Sequence, residues 1–310
     1  MALPTYASPL ERLWHYAYLV ICTLIFIFLI APILVIMPLS FNAEPYFTFT
    51  EAMLRLAPEG FSLRWYEALL TTGMMNPEAV AGWWSDVWAN AAWVKAAKNS
   101  FIIGFWATVL ATTLGTLAAL GLSRPDMPYR RAIMAILISP MIVPIIIIAA
   151  GTFFFYSAPC GVIGVDCGRL TSTYSGVILA HTTLGIPFVI ITVTATLSGF
   201  DQSLVRAAAS LGANPRATFF RVILPLILPG VISGALFAFV TSFDEVVAVL
   251  FIAGPEQQTI PRQMWNGIRE QISPAILSVA TILVVISIAL LATVELLRRR
   301  SDRLRGVTGR

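Results

Sequence analysis

Residues 16–41 read YAYLVICTLIFIFLIAPILVIMPLSF, 26 residues without one charged side chain. A helix rises 1.5 Å per residue, so the run reaches roughly 39 Å. The hydrocarbon core of a bilayer is about 30 Å thick. The run lacks a short apolar region followed by a small-residue cleavage site, so it reads as a retained span, not as a cleavable signal. Working outward, five further apolar segments follow at about 100–122, 132–156, 174–200, 224–253 and 272–297. These are continuous Leu, Ile, Val and Ala runs that do not alternate, which excludes the short two-faced strands of a membrane barrel. The expectation is an all-α, polytopic membrane protein with six transmembrane helices. Pro32, Pro140, Pro144, Pro187 and Pro229 lie within these spans and are expected to kink them.

Composition agrees. Of 310 residues, 58% are hydrophobic and 12% charged, against about 25% charged in soluble domains. Twenty Lys plus Arg against 16 Asp plus Glu leave a net charge of +4. That excess is small and confined to loops, which argues against a nucleic-acid partner and leaves membrane lipid as the surrounding surface. No biased linker interrupts the chain. It reads as an N-terminal segment with the first span and a long outer segment (1–98), a five-helix core (99–298) and a basic tail (299–310).

Basic residues orient membrane proteins. Arg12, Arg124, Arg130, Arg131, Arg206, Arg216, Arg221, Arg298, Arg299, Arg300, Arg303, Arg305 and Arg310 fall on one side, 13 of the 20. The remaining seven, Arg55, Arg64, Lys95, Lys98, Arg169, Arg262 and Arg269, fall on the other, among acids that include Glu44, Glu51, Glu59, Glu67 and Asp86. Both termini are therefore expected in the cytoplasm, with segment 42–99 outside. Its tryptophans Trp65, Trp83, Trp84, Trp88 and Trp93 suit either interfacial helices or the core of a small folded cap. Cys160 and Cys167 then face an oxidising compartment, where either a disulfide or two free thiols is open. With no His or further Cys nearby they are not read as a metal site.

The most informative inner loop is FDQSLVRAAASLGANPRATFFRVILP, residues 200–225. A helix over 202–211 should break at Gly212, and a second should start after Asn214 with Pro215 in its first position. Small Ala207 and Ala208 would let another surface approach closely, so the loop is a candidate knob for a soluble partner. In the fifth span, Asp244 and Glu245 interrupt an apolar run. Measured from Pro229, Asp244 lies roughly 22 Å along a helix, in the outer half of the membrane. Intramembrane carboxylates are costly and face a cavity or a partner. Asp244 reads as lining a pathway for a cation or as an ion-pair partner of another helix; Glu245 reads as pathway or surface cap.

The inner loop resembles the EAA loop of ABC importer permeases. It matches that motif at Ala207, Ala208, Gly212, Ile223, Leu224 and Pro225, with Arg206 where the motif has Glu. The pieces at 61–70 (FSLRWYEALL), 179–197 (LAHTTLGIPFVIITVTATL), 242–255 (SFDEVVAVLFIAGP) and 260–274 (IPRQMWNGIREQISP) are similar to spermidine/putrescine permeases. The resemblance implies a type I importer permease fold in the bacterial inner membrane and a coupling loop at 201–225. The partners it implies are a second permease subunit, two cytoplasmic ATPase subunits that hydrolyse ATP with Mg, and a periplasmic binding protein. It also implies a pathway role for Trp65, whose ring would attract an ammonium group. Ser139-Pro140 is followed by Met141, where polyamine permeases can carry an acid; that departure leaves another small amine or an amino-acid-derived solute as the alternative cargo.

Other classes compete poorly. A secondary transporter or channel could use Asp244 alone and would not need the inner loop. An enzyme is disfavoured: H-E-x-x-H and G-x-S-x-G are absent, and the two histidines are His15 and His181. No G-x-x-x-x-G-K-[ST] loop is present, and neither Lys95 nor Lys98 follows a glycine, so ATP would have to be bound by separate subunits. The chain is expected to bind no cofactor of its own.

Overall fold

The computed structural model describes residues 8–74, 82–124, 126–158, 168–201, 203–270 and 273–304. Cys160 and Cys167 lie outside the described residues. The described secondary structure is helical, apart from one isolated antiparallel bridge between Asn42 and Phe61. The chain divides into two units, Met1–Thr72 with Gly267–Arg310, and Gly73–Asn266.

The first unit begins with α1 (Pro9–Leu39). Ser8 opens it with a capping box: its Oγ accepts from the Glu11 N–H at 3.3 Å, and Glu11 Oε2 accepts from the Ser8 N–H at 2.8 Å. Along α1 the large apolar side chains are exposed, as a lipid-facing helix requires. Beyond it come the short helices α2 (Glu51–Leu54) and α3 (Arg64–Thr71), and one buried side chain orders the loop between α1 and α2. Asn42 donates from Nδ2 to the carbonyls of Tyr46 and Thr48, both at 2.9 Å, and accepts from the Glu44 N–H at Oδ1. Ser40 joins Tyr66 through their hydroxyls at 2.7 Å, and its carbonyl accepts from Ser278 Oγ at 3.3 Å.

The second unit runs from α4 (Trp83–Asn90) and α5 (Ala92–Leu122) through α6 (Arg130–Ile142), α7 (Ile145–Ser157) and α8 (Tyr174–Ser198). It continues with α9 (Ser203–Ser210), α10 (Pro215–Thr218), a π-helical segment Phe219–Ile223, α11 (Leu224–Asp244) and α12 (Val247–Ile252). It ends within α13 (Ile260–Glu270), and α14 (Ala275–Leu304) returns to the first unit. Its centre is α5, α8 and α11, which share a core of Ala111, Ala119, Val189, Val193, Ile227 and Ala238. Lipid supplies no hydrophobic drive between helices, so close packing of small residues does the work. A Cβ on Gly115 would stand 2.7 Å from Val189 Cβ, and one on Gly234 would stand 2.5 Å from Thr192 Oγ1 and 2.9 Å from Val189 Cα. Gly121, by contrast, has nothing within 4 Å of such an atom. Gly234→Ala is therefore expected to cost about 1–3 kcal/mol by overpacking, seen as a lowered unfolding temperature in detergent. Gly121→Ala should be neutral or slightly stabilising, since alanine is the better helix former; equal effects of the two would contradict this packing.

Two expectations are corrected. The third span was expected as one helix over 132–156, kinked by its prolines, but it is a pair, α6 and α7, bent by 103°. Val143 is extended (φ −72°, ψ 136°) because Pro144 follows it, and Pro144 supplies no N–H to continue the helix. The fifth span was expected to continue over 224–253, but α11 stops at Asp244 and α12 restarts at Val247. Among the described residues four helices are long and apolar enough to cross a membrane, and the bent pair makes a fifth. In α14 the described apolar stretch is Ala275–Ala289.

Candidate functional site

The break at the end of α11 sets the chemistry there. Glu245 is extended (φ −75°, ψ 121°) and its N–H does not close the last turn of α11. The carbonyl end of a helix carries a partial negative charge, and Asp244 adds a full one at the same place. Asp244 is exposed in this chain, and among the described residues its carboxylate has neither a hydrogen bond nor an ion pair. Beside it Phe243 packs against Phe101 at 5.4 Å and Phe239 at 5.6 Å between ring centroids. An open carboxylate, an uncapped carbonyl end and aromatic faces together suit an ammonium group.

Glu245 is used differently from Asp244. It is buried, 8% exposed, and its Oε1 accepts the Ala248 N–H at 2.9 Å. Its carboxylate thus serves the start of α12. One turn back, His181 of α8 meets Ser242 through Nδ1 and Oγ at 2.7 Å, both side chains buried, tying the end of α11 to α8. Trp65 belongs to the other unit. Its Nε1 donates to the Asn42 carbonyl at 2.7 Å, and the Arg64 guanidinium lies 4.2 Å from the ring centroid. One face of the indole is therefore already occupied by a cation of the same chain.

Sequence reading missed Arg262. From α13 its Nη1 donates to the carbonyls of Ala253 at 2.7 Å and Val249 at 3.1 Å. Nearby, Asn99 Nδ2 donates to the carbonyls of Glu256 and Gln258 at 2.8 and 2.9 Å, and Lys95 pairs with Glu256 at 2.6 Å. These bonds fasten the turn after α12 onto α5. Only the mixed character of the segment hinted at them: polar PEQQT between apolar runs.

The inner loop is built as its local signals dictate. Gly212 sits at φ +79° after α9, a conformation that suits glycine. The Gly212 N–H bonds to the Ala209 carbonyl and the Ala213 N–H to the Ala208 carbonyl, both at 3.0 Å, a complete Schellman closure. Asn214 Oδ1 accepts the Ala217 N–H at 2.8 Å and Pro215 opens α10. The following segment Phe219–Ile223 is π-helical, with the Leu224 N–H reaching back to the Phe219 carbonyl. Pro225 explains it: a proline crowds the carbonyl four residues earlier and donates nothing to it. At the loop's start Asp201 accepts from Ser203 Oγ at 2.6 Å and from its N–H at 2.8 Å. Those bonds, and then the charge of Arg206, hold the Asp201 carboxyl below its ordinary range. With a depressed pKa, this ordering is present above the usual carboxylate range and fades as pH falls through it.

The two alanines of the loop face different ways. Ala208 is 8% exposed and packs inward, whereas Arg206 and Ala207 are exposed and Leu211 at the tip is 88% exposed. Behind the loop lies a cavity of about 330 Å3, lined by Leu120, Phe200, Val205 and Phe219 among others. Of the residues singled out from sequence, Arg206, Ala207, Ala208, Gly212, Leu224 and Pro225 lie on this one segment and its continuation into α11.

A model of the family described as "Binding-protein-dependent transport system inner membrane component" matches residues 111–304. The spermidine/putrescine transport system permease protein PotC of Haemophilus influenzae is 30% identical over 278 residues, 90% of this chain and 95% of that protein. The putrescine transport system permease protein PotI of Escherichia coli K12 is 31% identical over 284 residues, 91% of this chain and 88% of that protein. Among solved structures, a bacterial ABC transporter involved in the import of the acidic polysaccharide alginate aligns with a TM-score of 0.68. It has 14% identity over 94% of this chain and 99% of that one, a likeness of fold alone.

Proposed function

The chain belongs to the family of binding-protein-dependent transport system inner membrane components, and from that premise we propose that it carries a small organic cation, of polyamine type, into the cell. In this reading it is a multi-pass permease subunit of an ABC importer. It shares its pathway with a second permease, receives solute from a periplasmic binding protein and is driven by two cytoplasmic ATPases. The observation that carries the cationic cargo is Asp244: an exposed carboxylate without a cationic partner among the described residues, set at the open carbonyl end of α11. The curated names of the PotC and PotI relatives point to the same solute class. Trp65, half-buried beneath Arg64, is the aromatic ring assigned to the pathway. The 200–225 loop supports ATPase docking, with Ala207 and Leu211 presented outward and Ala208 packed beneath them. A channel or secondary transporter built on Asp244 would leave that loop without a use.

Affinity capture of this chain from its native membrane tests the assembly. Recovery of a second permease and an ATPase in stoichiometric amount is expected; a pure homo-oligomer without ATPase would refute the importer subunit. The orientation is tested by reporter fusions after Thr72 and Arg216. They should read outside and inside respectively, because 13 of 20 basic residues fall on the inner side; the reverse pattern would contradict it.

A further inference from the structure

Two charged side chains close the two ends of the short helix that follows the break. At the start of α12, Glu245 takes the Ala248 N–H. At its end, Arg262 holds the carbonyls of Val249 and Ala253, with that of Gly254 at 3.5 Å. A helix start is partially positive and its end partially negative, so each charge stands at the end that complements it. Six residues are far too few to hold helical form by propensity. The position of α12 therefore rests on these two clamps and on its buried face, Ala248, Val249 and Ile252, packed with Ile103, Val177 and Leu184. The Ser172 N–H adds a bond to the Ile252 carbonyl at 2.8 Å. Asp244 is the last residue of α11, and the backbone leaves it directly into this clamped segment.

We infer that Arg262 is a positioning residue for Asp244: by gripping the carbonyl end of α12 it fixes where the chain leaves α11, and so where the Asp244 carboxylate is presented. The inference rests on the reading of Asp244 as the carboxylate that meets the cationic solute. Arg262 does not touch solute in this account. Its charge is taken up by backbone carbonyls, and among the described residues it forms no ion pair with an acid, so it leaves Asp244 free to meet an external cation. All three bonds leave from Nη1, so a lysine ammonium that reaches the same place can replace part of them.

The test uses the full complex, with its ATPases and binding protein, in proteoliposomes and with putrescine as the probe. Arg262→Gln is expected to raise the half-saturating putrescine concentration about tenfold, the equivalent of one or two hydrogen bonds. Maximal uptake and basal ATP hydrolysis should stay near wild type, with at most a modest fall in unfolding temperature. Arg262→Lys should recover part of the loss. In an Asp244→Asn background, Arg262→Gln should add little, because both act on one carboxylate. An unchanged half-saturation in Arg262→Gln beside a defective Asp244→Asn overturns this inference alone. Full additivity of the two substitutions overturns it as well, as does failure of both Arg262 variants to assemble, which marks a purely structural role. Normal uptake by Asp244→Asn overturns the reading of Asp244 itself, and this inference with it.

Discussion

Asp244→Asn is expected to cut uptake of a cationic solute about tenfold to a hundredfold while leaving the chain inserted and its ATPase partners bound. The substitution preserves size and hydrogen-bonding atoms and removes only the charge. An interaction with a charged partner is worth about 1.5–3 kcal/mol, which gives that range at about 1.4 kcal/mol per factor of ten. The site can spare little: Glu245 is engaged with the Ala248 N–H, so no second free carboxylate stands beside Asp244 at the break. Glu245→Gln should behave differently. It loses the charge at the start of α12 but keeps an acceptor for that N–H, so stability should fall modestly and uptake should survive. Initial rates of labelled putrescine uptake in the two variants, with expression matched, separate the roles. Equal defects would mean that both carboxylates meet the solute.

Leu211→Asp is expected to abolish capture of the ATPase and all ATP-driven uptake. Leu211 is 88% exposed at the tip of the loop, beside the Gly212 turn that closes α9. Full burial of a leucine side chain is worth about 1.5–3 kcal/mol, and a carboxylate forced into the same pocket adds its own desolvation. Ala208→Trp tests a separate point. Ala208 packs against its own chain, so a bulky residue there should distort the loop and lower the unfolding temperature, whereas Leu211→Asp should leave that temperature unchanged. Both are read by co-purification and by ATP hydrolysis coupled to uptake. A Leu211→Asp variant that still binds its ATPase and transports at wild-type rate would remove the docking role from the loop.

The parts of this architecture that sequence reveals are those set by neighbours in the chain. The apolar runs mark α1, α5, α8 and α11 because only lipid tolerates them. The loop at 200–225 was legible in detail since glycine, asparagine and proline act within a turn of where they stand, and Gly212, Asn214 and Pro215 each took their expected place. The break after Asp244 was not legible. No proline or glycine lies between Phe243 and Ala253, and the run is apolar enough to continue as helix. Beyond the break α12 is held by the bond from the Ala248 N–H to Glu245 and by Arg262, whose carbonyl partners lie 9 and 13 residues earlier in the chain. Pro144 was read as a kink, yet the bend is 103°. Local chemistry announces a weak point there but not the angle, which packing against neighbouring helices sets. Trp65 shows the same limit: its residue type suggested a cation-binding ring, and only the fold shows Arg64 lying over it.

Passage of a small organic cation and dependence on a separate ATPase are both read in a single transport assay. The assembled complex is reconstituted in proteoliposomes with ATP on the cytoplasmic side, and accumulation of labelled putrescine is followed beside labelled 1,4-butanediol, which keeps the length and lacks the charges. ATP-dependent accumulation of putrescine, none of the diol, and loss of putrescine uptake in Asp244→Asn are expected. Equal uptake of both solutes, or accumulation of putrescine without ATP, would contradict the proposed function.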